Sequence, residues 1–159
     1  MMRLTVDVQI ACDGEGIPST GDIQRWVEAA LRQSGRASDG NVELAVRIVD
    51  ADEIRTLNNL YREQDKATNV LSFPAGGMEG LPHDAGRLLG DVVICAAVVS
   101  EEASVQGKAL ADHWCHIIVH GTLHLLGFDH ETDAEAAEME ALEAEILYSQ
   151  NLTDPYAGS

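Results

Sequence analysis

Residues 120–130 of the chain read HGTLHLLGFDH, which places three histidines at the spacing H-x3-H-x5-H. In a helix, His120 and His124 lie one turn apart on the same face, so both imidazoles can reach one ion. Gly127 can end that helix in a left-handed conformation, and the chain can then turn back to present His130. The run therefore predicts a metal site with His120, His124 and His130 as ligands.

Three neutral nitrogens suit Zn²⁺, and catalytic zinc sites typically combine three protein ligands with an open fourth position. A lone histidine on an apolar helix face is more often a core residue than a ligand. Three histidines in register favour a shared metal, because without one several polar rings would be buried together. We therefore expect one Zn²⁺ ion with a vacant fourth coordination position.

The same run matches the metzincin protease pattern H-E-x-x-H-x-x-G-x-x-H at all but one position, because Gly121 stands where those enzymes carry glutamate. That glutamate accepts a proton from the water at the zinc ion, and glycine has no side chain that could do so. The sequence therefore argues against a protease of that mechanism.

Composition predicts one soluble domain that spans residues 1–159. Hydrophobic residues make up 45% and charged residues 23% of the chain, which is ordinary for a globular protein. The three cysteines are odd in number and have no C-x-x-C spacing, so we expect a reducing compartment and a cytoplasmic location. No segment reaches the length of about 18 apolar residues that a membrane span needs.

The net charge of −17 excludes nonspecific binding of nucleic acid through bulk charge. The segment from Glu131 to Gln150 contains seven acidic residues and no Lys or Arg. A polyanionic substrate must therefore be held locally. Five cations could gather near the metal for this purpose: Arg55, Arg62, Lys66, Arg87 and Lys108.

Hydrophobic periodicity predicts a three-layer α+β domain with a small mixed sheet of about four strands. The helix that carries the first two ligands must lie against that sheet. In the second helix, Ile54, Leu57 and Leu60 are expected to face the core. The predicted strands are 4–10, 42–49, 70–73 and 88–95, and the proline after 70–73 favours an edge position for that strand. The predicted helices are 20–34, 51–61, 96–106, 110–126 and 133–148, and the one long loop is 75–87.

Other side chains near the motif have more ordinary interpretations. His116, one turn before His120, is expected to be a core residue or a hydrogen-bonding neighbour of the ligands, because a fourth protein ligand would close the open position. Cys115 is expected to be a buried, inert thiol. His83, in the long loop, is expected to be solvated.

Three segments together resemble the YbeY family of bacterial single-strand-specific endoribonucleases of rRNA maturation. The histidine run is similar to the signature of that family, with Phe128 where tyrosine is common. The second and third segments are YREQDKATNVLSFP, Tyr61–Pro74, and LGDVVIC, Leu89–Cys95. Two departures are Ala67 and Ala96, where the family often has proline.

The resemblance implies a zincin-like fold and a zinc ion held by His120, His124 and His130. It implies cleavage of single-stranded RNA during maturation of the 16S rRNA 3′ end and ribosome quality control. The implied partners are rRNA and the small ribosomal subunit with its ribosomal or assembly proteins, and neither DNA nor a membrane is expected. It also implies a catalytic role for Arg62.

A guanidinium such as that of Arg62 can bind a phosphate through two hydrogen bonds and stabilise the charge that develops during cleavage. Lys66 is a further candidate for substrate binding. The ordinary alternative for Arg62 is a surface ion pair with Glu63 or Asp65. The sequence identifies no general base, and Asp91 and Asp129 are the only guesses.

Several alternatives remain open from the sequence. Cleavage could proceed by attack of water or of the RNA 2′-hydroxyl, and only the water route leaves no 2′,3′-cyclic phosphate. The protein could instead be a zinc hydrolase of an amide or ester. It could also be a ribosome assembly factor without turnover, in which the metal only stabilises the fold.

Overall fold

A computed structural model describes residues 2–14, 16–35, 40–75, 87–129 and 131–150 of the chain. Four strands and five helices lie within these ranges, in the order that the sequence predicts. A helix that could span a membrane is absent from this part of the chain. The strands are β1 (Met2–Ile10), β2 (Gly40–Val49), β3 (Val70–Pro74) and β4 (Arg87–Cys95). The helices are α1 (Thr20–Ser34), α2 (Ala51–Arg62), α3 (Ala96–Gln106), α4 (Leu110–Leu125) and α5 (Asp133–Ser149).

The four strands form one mixed sheet in the order β1-β2-β4-β3. β2 pairs in parallel with β1 and with β4, whereas β3 pairs antiparallel to β4. β3 is therefore an edge strand, as expected from the proline that ends it. The mixed sheet and its packed helices confirm the predicted α+β fold.

Helices cover both faces of the sheet, which gives the molecule three layers. The larger core cluster joins α1, α4 and α5 to one face and includes Val92 and Ile94 of β4. On the other face, Ile54 of α2 packs with Leu71 and Val93 in a smaller cluster. Neighbouring residues of β4 thus point to opposite faces, which is why this strand reads as a continuous apolar run.

Gly121 lies where α4 contacts the sheet. A Cβ atom at this position would lie 2.6 Å from Val92 Cγ1 and 3.1 Å from Val70 Cγ2, closer than packed carbon atoms approach. The Ser72 hydroxyl donates a 2.9 Å hydrogen bond to the Gly121 carbonyl oxygen. The residue that replaces the metzincin glutamate therefore lets α4 lie directly on β3 and β4, and a glutamate side chain would have no room here.

The helix ends follow the signals in the sequence. Ser19 caps α1 by accepting a hydrogen bond from the backbone N–H of Asp22. Thr132 caps α5 in the same way, by accepting from the backbone N–H of Glu135. Gly107 ends α3 with a positive φ of 66°, a conformation that glycine adopts without strain. These residues fix where α1 and α5 begin and where α3 ends.

The expectation that Leu60 faces the core is wrong. Leu60 is 67% exposed, whereas Ile54 is fully buried and Asn58 is 3% exposed. A helix turns by about 100° per residue, so Leu60 lies about 120° around α2 from Ile54, while Asn58 lies only about 40° away. The buried side of α2 therefore continues through a polar residue, and Asn58 Nδ2 donates a 2.9 Å hydrogen bond to the Lys66 carbonyl oxygen.

Candidate metal centre and its cleft

The edge strand β3, the carboxyl-terminal half of α4 and the end of α2 enclose a cleft of about 750 Å³. The two predicted ligands of α4 lie at this cleft, together with Arg62 from α2. Its other described lining residues are Tyr61, Thr68, Asn69, Val70, Leu71, Ser72, Phe73, Pro74, Gly127, Phe128, Asp129 and Glu131.

His120 and His124 point the same ring nitrogen toward one another. Their Nε2 atoms are 3.1 Å apart and their ring centroids 4.6 Å apart, with the rings at 78°. Two nitrogens bound tetrahedrally to one zinc ion would lie about 3.3 Å apart, given Zn–N bonds of about 2.0–2.1 Å. The spacing of this pair therefore suits two ligands of one ion.

The buried carboxylate of Glu143, on α5, fixes the orientation of His120. Glu143 is fully buried, and its Oε1 atom lies 2.5 Å from His120 Nδ1. Because a carboxylate can only accept, His120 Nδ1 is the donor and Nε2 presents its lone pair to the cleft. A carboxylate behind a ligand histidine in this way is typical of protein zinc sites.

His116 shares the same carboxylate. Its Nε2 atom lies 3.2 Å from Glu143 Oε2, and its side chain is 14% exposed. His116, His120 and Glu143 place three possible ligand atoms within 4.8 Å of one another, so this cluster could also hold a metal ion. Glu143 thus links His116 to His120, and the expectation that His116 is a core residue or a hydrogen-bonding neighbour of the ligands stays a prediction.

His130, the third predicted ligand, lies outside the described residues, as does His83. The turn that leads toward His130 is described. Gly127 has a positive φ of 92°, its N–H donates to the His124 carbonyl oxygen, and the Phe128 N–H donates to the Leu123 carbonyl oxygen. This pair of bonds is a Schellman motif, so the glycine ends α4 in the left-handed conformation expected of it.

The two arginines of α2 have different surroundings. Arg55 forms a two-bond ion pair with Asp65, with nitrogen–oxygen distances of 2.8 and 3.2 Å, and this guanidinium lowers the pKa of the Asp65 carboxyl. Arg62 lies at the cleft with the two histidines, and it has no ion-pair partner among the described residues. The ordinary alternative for Arg62, a pair with Glu63 or Asp65, is therefore not what the structure has.

The expected gathering of five cations at the metal is not seen in the described part of the chain. Among the described lining residues, Arg62 is the only Lys or Arg. Arg55 is paired with Asp65, and Lys66 and Lys108 do not line the cleft. Of the two guessed general bases, Asp129 lines the cleft, whereas Asp91 lies on β4 at a separate depression.

A second polar network supports the start of β3. Asn69 Nδ2 donates to the Glu102 carboxylate at 3.1 Å, and Glu102 Oε1 lies 3.0 Å from Nε2 of the buried His113. Burial lowers the pKa of His113, and the bond to Glu102 partly opposes this shift. Sequence reasoning missed this network, because its three residues come from the loop before β3, from α3 and from α4, and have no common spacing.

Cys115 has the environment of an inert thiol. It lies on α4 and is fully buried in the larger core cluster, and this burial raises its pKa to about 12. A thiol with such a pKa stays protonated at neutral pH and is a poor metal ligand. The expectation from the sequence agrees with this position.

Comparison with known proteins decides the family. The family model described as Endoribonuclease YbeY matches residues 9–151. The chain belongs to the endoribonuclease YbeY family. The predicted family and enzyme class, a hydrolase acting on RNA, are thereby confirmed.

Individual relatives agree over nearly the whole chain. The chain is 54% identical to Endoribonuclease YbeY of Xanthomonas axonopodis pv. citri and 53% identical to Endoribonuclease YbeY of Stenotrophomonas maltophilia. Each match covers 99% of this chain and 96% of the relative. The solution structure of TM1509 from Thermotoga maritima is similar with a TM-score of 0.54 and 25% identity, over 95% of this chain and 99% of that one.

Proposed function

We propose that residues 1–159 form one zinc-dependent endoribonuclease domain that cleaves single-stranded rRNA at the cleft beside β3. The pair of Nε2 atoms at 3.1 Å, next to an arginine with no ion-pair partner among the described residues, carries this proposal. The proposed natural substrate is the 3′ end of 16S rRNA, and the proposed partner is the small ribosomal subunit with its ribosomal or assembly proteins. Family membership supports this substrate class.

The proposed ligands are His120, His124 and His130, which would hold one Zn²⁺ ion. An ion on the other side of His120, held by His116 and Glu143, fits the geometry less well. The contact between His120 Nδ1 and Glu143 Oε1 is 2.5 Å, whereas two ligand atoms of one zinc ion lie about 3.3 Å apart. We therefore assign this contact as a hydrogen bond, with Glu143 behind the ligand rather than on the ion.

The proposed reaction assigns a separate role to the zinc site, to Arg62 and to Glu143. Zinc held by His120, His124 and His130 would supply a Lewis acid for the scissile phosphate and would lower the pKa of bound water to about 7. Arg62 donates hydrogen bonds to the phosphoryl oxygens as negative charge develops on them. Glu143 keeps the His120 lone pair directed into the cleft.

The role of Arg62 can be tested by comparison with Arg55 on the same helix. We expect Arg62→Ala to lower kcat/KM on a single-stranded RNA oligonucleotide by about 100- to 1,000-fold, the usual effect of losing a group that stabilises transition-state charge. Arg55→Ala, which removes an exposed ion pair outside the cleft, should change the rate less than threefold. Equal rates for both variants would contradict the assignment of Arg62.

The products and the substrate range separate the remaining alternatives. Cleavage by water leaves a terminal phosphate monoester, whereas attack by the 2′-hydroxyl leaves a 2′,3′-cyclic phosphate. A protein that hydrolyses amides or esters and ignores RNA would refute the nuclease proposal. So would a His120→Ala variant that folds and cuts RNA as fast as the wild type.

A further inference from the structure

The cleft contains an exposed aromatic side chain that the metal site does not use. Tyr61, the residue before Arg62, is 63% exposed and lines the cleft. The described part of the chain has six large exposed hydrophobic residues, and Tyr61 is the only one of them at the cleft. The others are Ile10, Leu60, Leu88, Val105 and Tyr148.

Neighbouring residues hold the Tyr61 ring in place. It lies edge to face with Phe73 of β3, with ring centroids 5.2 Å apart and an angle of 67° between the rings. The end of α2 is fixed by Glu63, which has a left-handed φ of 56°, and by the hydrogen bond from Asn58 to the Lys66 carbonyl oxygen. An aromatic ring that is supported on one side and exposed over most of its surface is suited to contact a planar partner.

The described residues of the cleft offer little positive charge to attract RNA. Arg62 is the only Lys or Arg among the described lining residues, and Asp129 and Glu131 add negative charge. The whole chain carries −17. Phosphate contacts supply most of the affinity in an ordinary nucleic-acid site, so an acidic cleft needs a contribution that does not depend on charge. Stacking of a nucleobase on an aromatic ring is such a contribution.

We propose that Tyr61 stacks on a nucleobase of the RNA substrate, adjacent to the phosphate that Arg62 contacts. Tyr61 and Arg62 are consecutive residues, so a base held by one lies close to a phosphate held by the other. Bases in a duplex are already stacked and paired, so this contact selects single-stranded RNA. The inference rests on the proposed function, since it assigns a binding role within the same cleft.

The experiment measures KM and kcat for a single-stranded RNA oligonucleotide. We expect Tyr61→Ala and Tyr61→Leu to raise KM by about 5- to 100-fold, which corresponds to the loss of one stacked base. Tyr61→Phe, which keeps the ring, should stay within about twofold of the wild type. Tyr148→Ala removes another exposed aromatic side chain, one that does not line the cleft, and serves as the matched control. Thermal unfolding of each variant shows that the fold is retained.

Substrates with one abasic nucleotide, moved stepwise along the strand, identify the stacked base. At one position next to the cut, the abasic substrate should raise the wild-type KM by the same factor, and Tyr61→Ala should then add nothing. The stacking proposal would be overturned if Tyr61→Ala had the same KM as the wild type. It would also be overturned if the substitution raised KM by the same factor on every abasic substrate.

Fluorescence anisotropy with a labelled form of the same RNA oligonucleotide measures binding separately from cleavage. It therefore distinguishes failure of the nuclease proposal from failure of the stacking proposal. Wild-type protein that binds the RNA but does not cut it would refute the nuclease proposal, and the Tyr61 variants would then be compared by Kd. Wild-type protein that cuts the RNA with no dependence on Tyr61 would refute the stack alone. Wild-type protein that neither binds nor cuts the RNA would refute both.

Discussion

α4 has two buried sides of opposite chemistry. Toward the sheet it presents Gly121, which would meet Val92 and Val70 if it had a Cβ atom. Toward α5 it presents His116 and His120, which share the fully buried carboxylate of Glu143. The sheet side fixes where the helix lies, and the α5 side fixes which atoms its histidines direct into the cleft.

The energetic difference between the two sides indicates which residues serve function. Apolar packing against the sheet stabilises the fold, whereas a buried carboxylate carries a desolvation cost that its partners only partly offset. Replacing such a polar group by well-packed apolar residues is often neutral or stabilising. A buried acid between two histidines beside a cleft is therefore best explained by the site that it orients.

The largest expected effect comes from the sheet side. Gly121→Glu should remove most of the free energy of unfolding, because a side chain and a charge have no room between α4 and β4. Gly121→Ala should still destabilise by about 1–3 kcal/mol, although alanine favours a helix by about 1 kcal/mol over glycine. Chemical denaturation provides the measurement.

Gly21→Ala in α1 is the matched control for this experiment. A Cβ at Gly21 would find only Ser19 Oγ, at 3.9 Å, so the substitution should stabilise the protein by up to about 1 kcal/mol. If Gly121→Ala stabilises the protein as much as Gly21→Ala does, the close contact between α4 and the sheet is wrong.

A smaller effect is expected on the α5 side, and it concerns the metal rather than the fold. Glu143→Gln should weaken zinc binding by about 10- to 100-fold, because His120 loses its charged hydrogen-bond acceptor. Glu140→Gln, an equal charge change at an exposed position of the same helix, should leave zinc affinity unchanged. Competition titration with a zinc chelator gives both constants.

The same titration also tests the alternative placement of the ion. If Glu143 were itself a ligand together with His116 and His120, its substitution would abolish binding while His124→Ala would have little effect. That result would mean that the ion binds at His120 Nδ1, beside Glu143, and not at His120 Nε2, beside His124.

The smallest effect concerns His113, at the start of α4. Burial lowers its pKa below the ordinary value of 6.5, so below about pH 6.5 the unfolded state takes up a proton more readily than the folded state. Stability should therefore be undiminished above pH 6.5 and should fall as the pH drops below it. His113→Gln, which removes this group, should lose less stability between pH 7 and pH 5 than the wild type. Parallel stability curves for the two proteins would contradict the predicted contribution.

Much of the fold follows from periodicity and capping signals. Both α1 and α3 begin and end at the predicted residues. The edge position of β3 follows from its proline. The expectation for Leu60 fails because a spacing of six residues corresponds to a rotation of about 120° from Ile54, so the two side chains do not share a helix face.

The site was predictable only where its residues are close in sequence. His120 and His124 are four residues apart, so helix geometry brings them together. Glu143 was hidden among seven acidic residues of the segment from Glu131 to Gln150. Its position was nonetheless a signal, because it lies four residues after Met139 and three before Ile146, on the buried side of α5. The pairing of Arg55 with Asp65 depends on a turn that the sequence does not specify.

The most direct test of the account is zinc binding and RNA cleavage measured on the same samples of wild-type protein and His124→Ala. We expect one zinc ion per chain and cleavage of single-stranded RNA for the wild type, with both lost together in the variant while the fold remains. A folded His124→Ala protein that still binds zinc with wild-type affinity and still cuts the RNA would contradict it.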